Sequence, residues 1–397
     1  MSEKRAAYIA VLMLGLVSLL GDIVYEGSRG IIPDYLRHLG ASALIVGTVI
    51  GLGELISYAS RPVSGIIADK FRSYWPLVFL GYGLIAALPL IAIAELWGGW
   101  LLAALLVITE RLGKGVRTPA RDTIISFASK SIGAGKAFGL HELLDQIGAV
   151  LGPLVLATLL GAGYGYYLTF LVLFIPYLAL MVSLFLAKKS LKTYMQHPSK
   201  GESEKGSMKE VLNRETMTYI GAVVLNTIGL LPASLILYQA SVIAGKGYLG
   251  AWFVPVLYAF IQLIDAPLAL ASGLIYDRIG LKMLIAPFIA SILVAPLTVM
   301  GELIPLLIAA LIFGFVLGTK ESVYRAAITG LSPSDLRATA YGVMNTATGA
   351  ASLAAGAVYG YLIDIKASPY IVLLFSSALQ LIALIMLNSL IRKERSR

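Results

Sequence analysis

The chain has 397 residues, 58% of them hydrophobic and 13% charged, with a mean hydropathy of +0.85. Apolar runs of 18 or more residues recur along it, far more than a globular core contains, which excludes a water-soluble protein. There is no cysteine, so disulfides, thiolate metal sites and cysteine nucleophiles are excluded, and the net charge of +9 must be explained by where the charges fall.

The first apolar run, from Ala6 to about Leu36, is too long for a signal peptide and lacks a small-residue cleavage site, so it reads as a retained helix. Hydropathy then predicts about twelve spans: 6–36, 43–69, 74–94, 99–126, 135–161, 164–187, 216–242, 247–275, 280–299, 303–329, 338–363 and 368–390. Between the sixth and seventh lies Lys188–Glu215, polar, basic and rich in Ser, Gly and Lys, which reads as a linker with a short surface helix at Met208–Arg214. The expected organisation is a six-span bundle over 1–187, a linker over 188–215 and a second six-span bundle over 216–397. Basic residues outside the spans fall on one side of the layout, with only Arg37, Lys246 and Lys366 on the other. Both termini and the linker are therefore expected in the cytoplasm of a multi-pass cell-membrane protein. The positive charge is a topology signal and calls for no nucleic-acid partner.

The fourth span carries Glu110, Arg111, Lys114, Arg117, Arg121 and Asp122 inside otherwise apolar sequence. A charge in hydrocarbon costs several kcal/mol, so such residues face protein interior or a water-filled path. Arg117 and Arg121 share a helix face, with Lys114 close to it. Two readings stand: a polar lining that handles a charged solute or a proton, and an ion-pair cluster that locks helices together.

The halves repeat. Gly65-Ile-Ile-Ala-Asp69-Lys70 ends the second span, and Gly273-Leu-Ile-Tyr-Asp277-Arg278-Ile-Gly280-Leu-Lys282 ends the eighth. Arg117 and Arg121 in the fourth span correspond to Glu321 and Arg325 in the tenth, and Ala137-Phe138-Gly139 to Ala340-Tyr341-Gly342. Two matching six-helix halves are the signature of repeat-built secondary transporters, whose substrate site lies between them.

With these motifs the chain resembles the major facilitator superfamily over essentially its whole length. The family's loop signature, Gly-x-x-x-Asp-Arg/Lys-x-Gly-Arg/Lys, is met by Gly273, Asp277, Arg278 and Gly280, with Lys282 one position late. The first copy keeps Gly65, Asp69 and Lys70 but has Arg72 where the second glycine is expected. The resemblance implies twelve transmembrane helices in two pseudo-symmetric six-helix bundles, an all-α membrane protein. It also implies that Asp69 and Asp277 make gating contacts between helices. Arg111-Leu-Gly-Lys114-Gly115 is similar to the fourth-helix motif whose Arg the family links to proton transfer. Gly139, Gly148, Gly152 and Pro153 resemble the fifth-helix antiporter motif, with Leu156-Ala157 in place of its closing glycines. More narrowly, Gly21-Asp22-x3-Glu26 with Pro33, GKGVRTPARD and AFGLHELLDQIGAVLGP resemble a group of prokaryotic facilitators. Read physically, Gly148 and Gly152 form a small-x3-small face where another helix can approach, and Pro153 can bend its helix.

Asp22, Glu26 and Glu54 fall near mid-membrane at 1.5 Å per residue. A carboxyl held away from water favours its neutral form, which suits proton carriage. Asp22 is the first candidate because its nearest basic neighbour in sequence is Arg29, seven positions on. Glu54, Glu26 and Arg111 complete the proton-coupling set, and an internal Glu26–Arg29 pair is the bland alternative. Candidates for holding substrate are Glu110, Lys114, Arg117, Arg121, Glu142, Asp145, Asp265, Glu321 and Arg325. Gly65, Asp69, Lys70, Gly273, Asp277, Arg278, Gly148, Gly152 and Pro153 are candidates for gating. His141 and Asp145 share a face as two metal ligands would, but no other span contains a His, so a hydrogen-bonded His or a proton helper is preferred.

Enzyme motifs are absent, and no cofactor is called for. The expectation is a secondary transporter working as a monomer in the bilayer by proton-coupled export of a small organic solute. The alternatives are divalent-metal or cation transport, and uptake of an organic anion.

Overall fold

Every regular element is helical among the residues the structure, a computed structural model, describes: 3–129, 133–191, 213–247, 249–332 and 336–396. In lipid a spanning backbone must satisfy its own hydrogen bonds, and an unbroken helix does so. Residues 192–212, which hold most of the expected linker and of the surface helix expected at Met208–Arg214, lie outside the described residues, while the linker's ends at 188–191 and 214–215 are helical.

The helices form twelve consecutive spans within the described residues: α1 (Glu3–His38), α2 (Ala43–Phe71), α3 (Tyr74–Glu95), α4 (Gly99–Ser129), α5 (Ala134–Gly161), α6 (Tyr166–Lys189), α7 (Arg214–Ala244), α8 (Phe253–Ile279), α9 (Ile285–Val299), α10 (Leu303–Leu331), α11 (Arg337–Asp364) and α12 (Pro369–Ser396). Helix α3 tightens into 3-10 turns at Leu84–Ala86 and Ile91–Glu95, around Pro89, which has no N–H to donate. Large apolar side chains point outward, among them Ile175, Val182 and Phe185 of α6 and Leu263 and Leu270 of α8. Such a surface is an aggregation liability in water and is what a bilayer solvates.

The chain forms two compact units, residues 1–39 with 56–201, and residues 40–55 with 202–397. In the first unit, α1 lies tightly along α5. A β-carbon at Gly148 would meet the Leu19 carbonyl oxygen at 2.5 Å, and one at Gly152 would meet the Ile23 carbonyl oxygen at 2.6 Å. Glycine at both positions lets backbone approach backbone. In the same unit, Gly81 of α3 meets Gly113 of α4 in the same manner, and Ser64 of α2 donates to the Val116 carbonyl of α4 at 2.7 Å.

In the second unit, Gly47 and Gly51 of α2 face α11, where Gly356 and Gly360 stand at the same four-residue spacing. Asp364, at the end of α11, accepts from the backbone N–H groups of Ala43 and Leu44, both at 2.9 Å, and so caps the start of α2. Helix α7 breaks at Leu230–Pro232, because Pro232 cannot continue the ladder. The freed Gly229 carbonyl accepts from Tyr359 of α11 at 2.6 Å and Ser376 of α12 at 2.8 Å. One turn earlier, buried Asn226 donates to Ser291 and Gln380 and accepts from Tyr324, tying α7 to α9, α10 and α12.

The loop signature has a backbone cause. Gly280 follows α8 at φ 60°, ψ −143°, a region that L side chains avoid. The corresponding residue after α2, seven positions beyond Gly65 as Gly280 is beyond Gly273, is Arg72, and it too has positive φ, 49°. The position of the missing glycine in the first copy thus also has positive φ, held there by a strained side chain. Asp69, Lys70, Asp277 and Arg278 are exposed at the helix ends, and Gly273 makes ordinary contact with Ser322 of α10.

Candidate functional site

Most of the charged candidates within the spans of the first unit fall in one cluster. Ser18, Asp22, Tyr25, Glu26 and Arg29 recur along one face of α1 at helical spacing. Glu110, Arg111, Lys114, Arg117 and Arg121 come from α4, and His141 and Asp145 from α5. The Gly148 and Gly152 contacts bring α5 near enough for Asp145 to act on Asp22: a β-carbon at Gly148 would stand 2.7 Å from that of Asp22.

Most of the cluster is internally paired. Glu26, 5% exposed, accepts from Arg29 at 2.8 Å, so the internal pair anticipated from sequence is formed. Glu110, 2% exposed, lies 3.6 Å from Arg111 Nε and 3.7 Å from Arg117 Nη1. The Arg117 guanidinium stands 5.4 Å from the centre of the Tyr25 ring and 5.0 Å from that of Tyr82, and it donates to the Gly81 carbonyl at 3.5 Å. Lys114 Nζ lies over the same Tyr25 ring at 4.6 Å, and Arg29 stands 5.8 Å from it. Arg121 donates to the adjacent Asp122 at 3.0 Å and to Ser18 at 3.4 Å. Burial in low dielectric strengthens each of these contacts and also raises the cost of breaking them.

Asp22 is different. It is 3% exposed, its Oδ1, like Oε1 of Glu110, has no hydrogen-bond partner, and unlike Glu110 it has no ion pair among the described residues. The charges that act on it are Asp145 first, then Glu26, with Lys114 opposing them. Asp145 also has an Oδ1 without a hydrogen bond, and its Oδ2 lies 3.8 Å from Nε2 of the buried His141. Neither His141 ring nitrogen makes a hydrogen bond. The His141–Asp145 juxtaposition considered for a metal is therefore present as a contact at 3.8 Å with no hydrogen bond. Among the described residues no group of three or more His, Asp or Glu side chains could hold a metal ion.

Other candidates fall elsewhere. Glu142 is exposed and accepts from Gln146. Glu54 belongs to the second unit, where its charge and that of Glu321 act on Lys320 of α10. Asp265 of α8 is buried against Gly318 of α10, about two turns before the Ser272–Thr319 hydrogen bond on the same helix, while Glu321 and Arg325 are exposed. Sequence reasoning missed Tyr25, although it lies between Asp22 and Glu26 on the charged face and gathers three cations around one ring. It also missed Ser18, Tyr82, Asn226 and Gln380. Polar residues of this kind are individually unremarkable in a sequence and acquire a role only from their partners.

A profile of the Major Facilitator Superfamily matches residues 14–357. The chain belongs to this family. The uncharacterized protein Rv2265 of Mycobacterium tuberculosis is 37% identical over 388 residues, covering 96% of this chain and 93% of that protein. The uncharacterized MFS-type transporter MJ1317 of Methanocaldococcus jannaschii is 28% identical over 383 residues, covering 94% and 92%. A crystal structure of a mutant of the nucleoside transporter NupG superposes with a TM-score of 0.75 at 15% identity, over 95% of this chain and 99% of that one, a likeness of fold. The protein is thus a multi-pass membrane transporter of the major facilitator type and not an enzyme.

Proposed function

We propose that this transporter exports a small organic solute in exchange for protons, by alternating access of its two six-helix halves. It would work as a monomer in the cell membrane, with both termini cytoplasmic. The observation that carries the reading is Asp22. It is a carboxylate buried in the middle of α1 with an unpartnered oxygen, in a cluster whose other α1 and α4 carboxylates have ionic partners. A group so placed can exchange a proton without dismantling the ion pairs that hold the helices. The Gly148, Gly152 and Pro153 pattern in α5, similar to the antiporter motif, supports exchange over symport. The basic residues on one side of the spans support the orientation.

The test is proton movement in sealed proteoliposomes with an internal pH dye. Wild type and Asp22→Asn are challenged with a panel of organic cations, organic anions and divalent metals. One class should move protons with wild type and fail to do so with Asp22→Asn. If a compound accumulates or equilibrates with no proton movement in wild type, coupling is wrong, and Asp22 must then be a substrate ligand or a helix lock.

A further inference from the structure

We propose that the coupling proton is held by Asp22 and Asp145 together, as one site that spans the α1–α5 contact and ionises once rather than twice. This rests on the proton-coupled reading above and assigns Asp145 to the proton instead of to the solute.

The argument begins with placement. Asp22 lies on the α1 face that Gly148 of α5 touches, and Asp145 precedes Gly148 by three residues, on the same side of α5. The β-carbon that Gly148 lacks would crowd Asp22, so glycine there is what lets the carboxylates come together. Each has an oxygen with no hydrogen bond, and Asp22 is almost wholly buried. Asp145 is the strongest charge acting on Asp22.

Two like charges sharing a site with little water cannot both persist unless cations neutralise them. The neighbours can be taken element by element. From α1 come Glu26, engaged with Arg29, and the phenol of Tyr25. From α4 come Lys114, over the Tyr25 ring, Arg117, engaged with Glu110, and Arg121 with Asp122. From α5 comes His141, 3.8 Å from Asp145, and from α3 Tyr82, beneath Arg117. The three arginines hold carboxylates of their own at 4 Å or less, and Arg121 and Lys114 act on Asp145 as well, so these cations are shared with carboxylates outside the pair. The pair is left to take up a proton. Loading converts two carboxylates into one carboxylate and one carboxylic acid; release, once water reaches the site, returns both to the charged form, and the proton leaves to that water. No other bond changes.

The titration is read by infrared difference spectroscopy of the carboxylic C=O stretch, on the full-length protein in lipid nanodiscs. It needs neither solute nor gradient. Wild type, Asp22→Asn, Asp145→Asn and the double variant are compared, after thermal melts confirm that each is folded. The double variant should lose one protonated carboxyl, not two, across the neutral range. Asp145→Asn should move the titration midpoint of the remaining band by more than about one pH unit, the interaction above which two groups titrate as a pair. Asp145 is the less buried partner, so its variant and the wild-type stoichiometry suffice if Asp22→Asn does not fold. A midpoint unmoved by Asp145→Asn, or loss of two carboxyls in the double variant, overturns the shared site. A coupled pair in a protein that moves no protons in proteoliposomes would instead overturn the export reading and leave the pair standing.

Discussion

Arg117 decides whether the fourth-span charges lock helices or handle a solute. Arg117→Met removes an ion pair at 3.7 Å to Glu110, ring contacts at 5.4 and 5.0 Å to Tyr25 and Tyr82, and a donor to Gly81. Breaking a buried ion pair costs about 3–5 kcal/mol, mostly because the remaining charge is stranded. Here Glu110 keeps Arg111 at 3.6 Å, which pulls the ionic part toward the lower end. Each ring contact adds about 0.5–2 kcal/mol when desolvated. The expected loss is about 4–7 kcal/mol, and at roughly 2–4 °C per kcal/mol the melting midpoint should fall by about 8–28 °C. Glu110→Gln together with Arg117→Met removes both members of the pair, and Arg111 loses the Glu110 carboxylate equally in the Glu110→Gln single variant, so the double variant should be less destabilised than the sum of the singles by about 2 kcal/mol. The assay is thermal denaturation of the purified protein in one detergent. A midpoint within about 2 °C of wild type for Arg117→Met, alongside loss of solute binding, would sink the lock and make Arg117 a solute ligand.

Three further outcomes follow from the geometry. Arg72→Gly should raise the melting midpoint or leave it unchanged, since a side chain at positive φ costs on the order of 1 kcal/mol, whereas Gly280→Ala should lower it; the opposite order would refute the shared-turn account. Asp364→Ala removes the acceptor for two N–H groups at the start of α2 and should cost about 1–2 kcal/mol in the same melts, with Asp364→Asn recovering part of the loss, and equal midpoints for the two variants would count against capping. Asn226→Leu strands its hydrogen-bond partners Gln380 and Tyr324 inside the second unit and should cost about 2–4 kcal/mol, more than Ser376→Ala, which leaves the Gly229 carbonyl its bond from Tyr359.

The sequence by itself determined the twelve spans, because hydropathy over about twenty residues is a local property set by bilayer thickness. It also determined that Asp22, Glu110, Arg117 and Asp145 would be costly inside those spans, and it located the loop turns through Gly280 and the irregular Arg72. Partnership was not legible. Arg121 meets Ser18 across 103 residues and Asn226 meets Gln380 across 154, and no local pattern encodes such distances. Tertiary structure alone decided that Glu110 and Arg117 neutralise one another, that Tyr25 gathers three cations, and that Asp22 keeps an oxygen unpartnered beside Asp145. The reason is physical. Burial makes a charge expensive wherever it lies along the chain, but what offsets the cost is whichever helix the glycine contacts allow to come close.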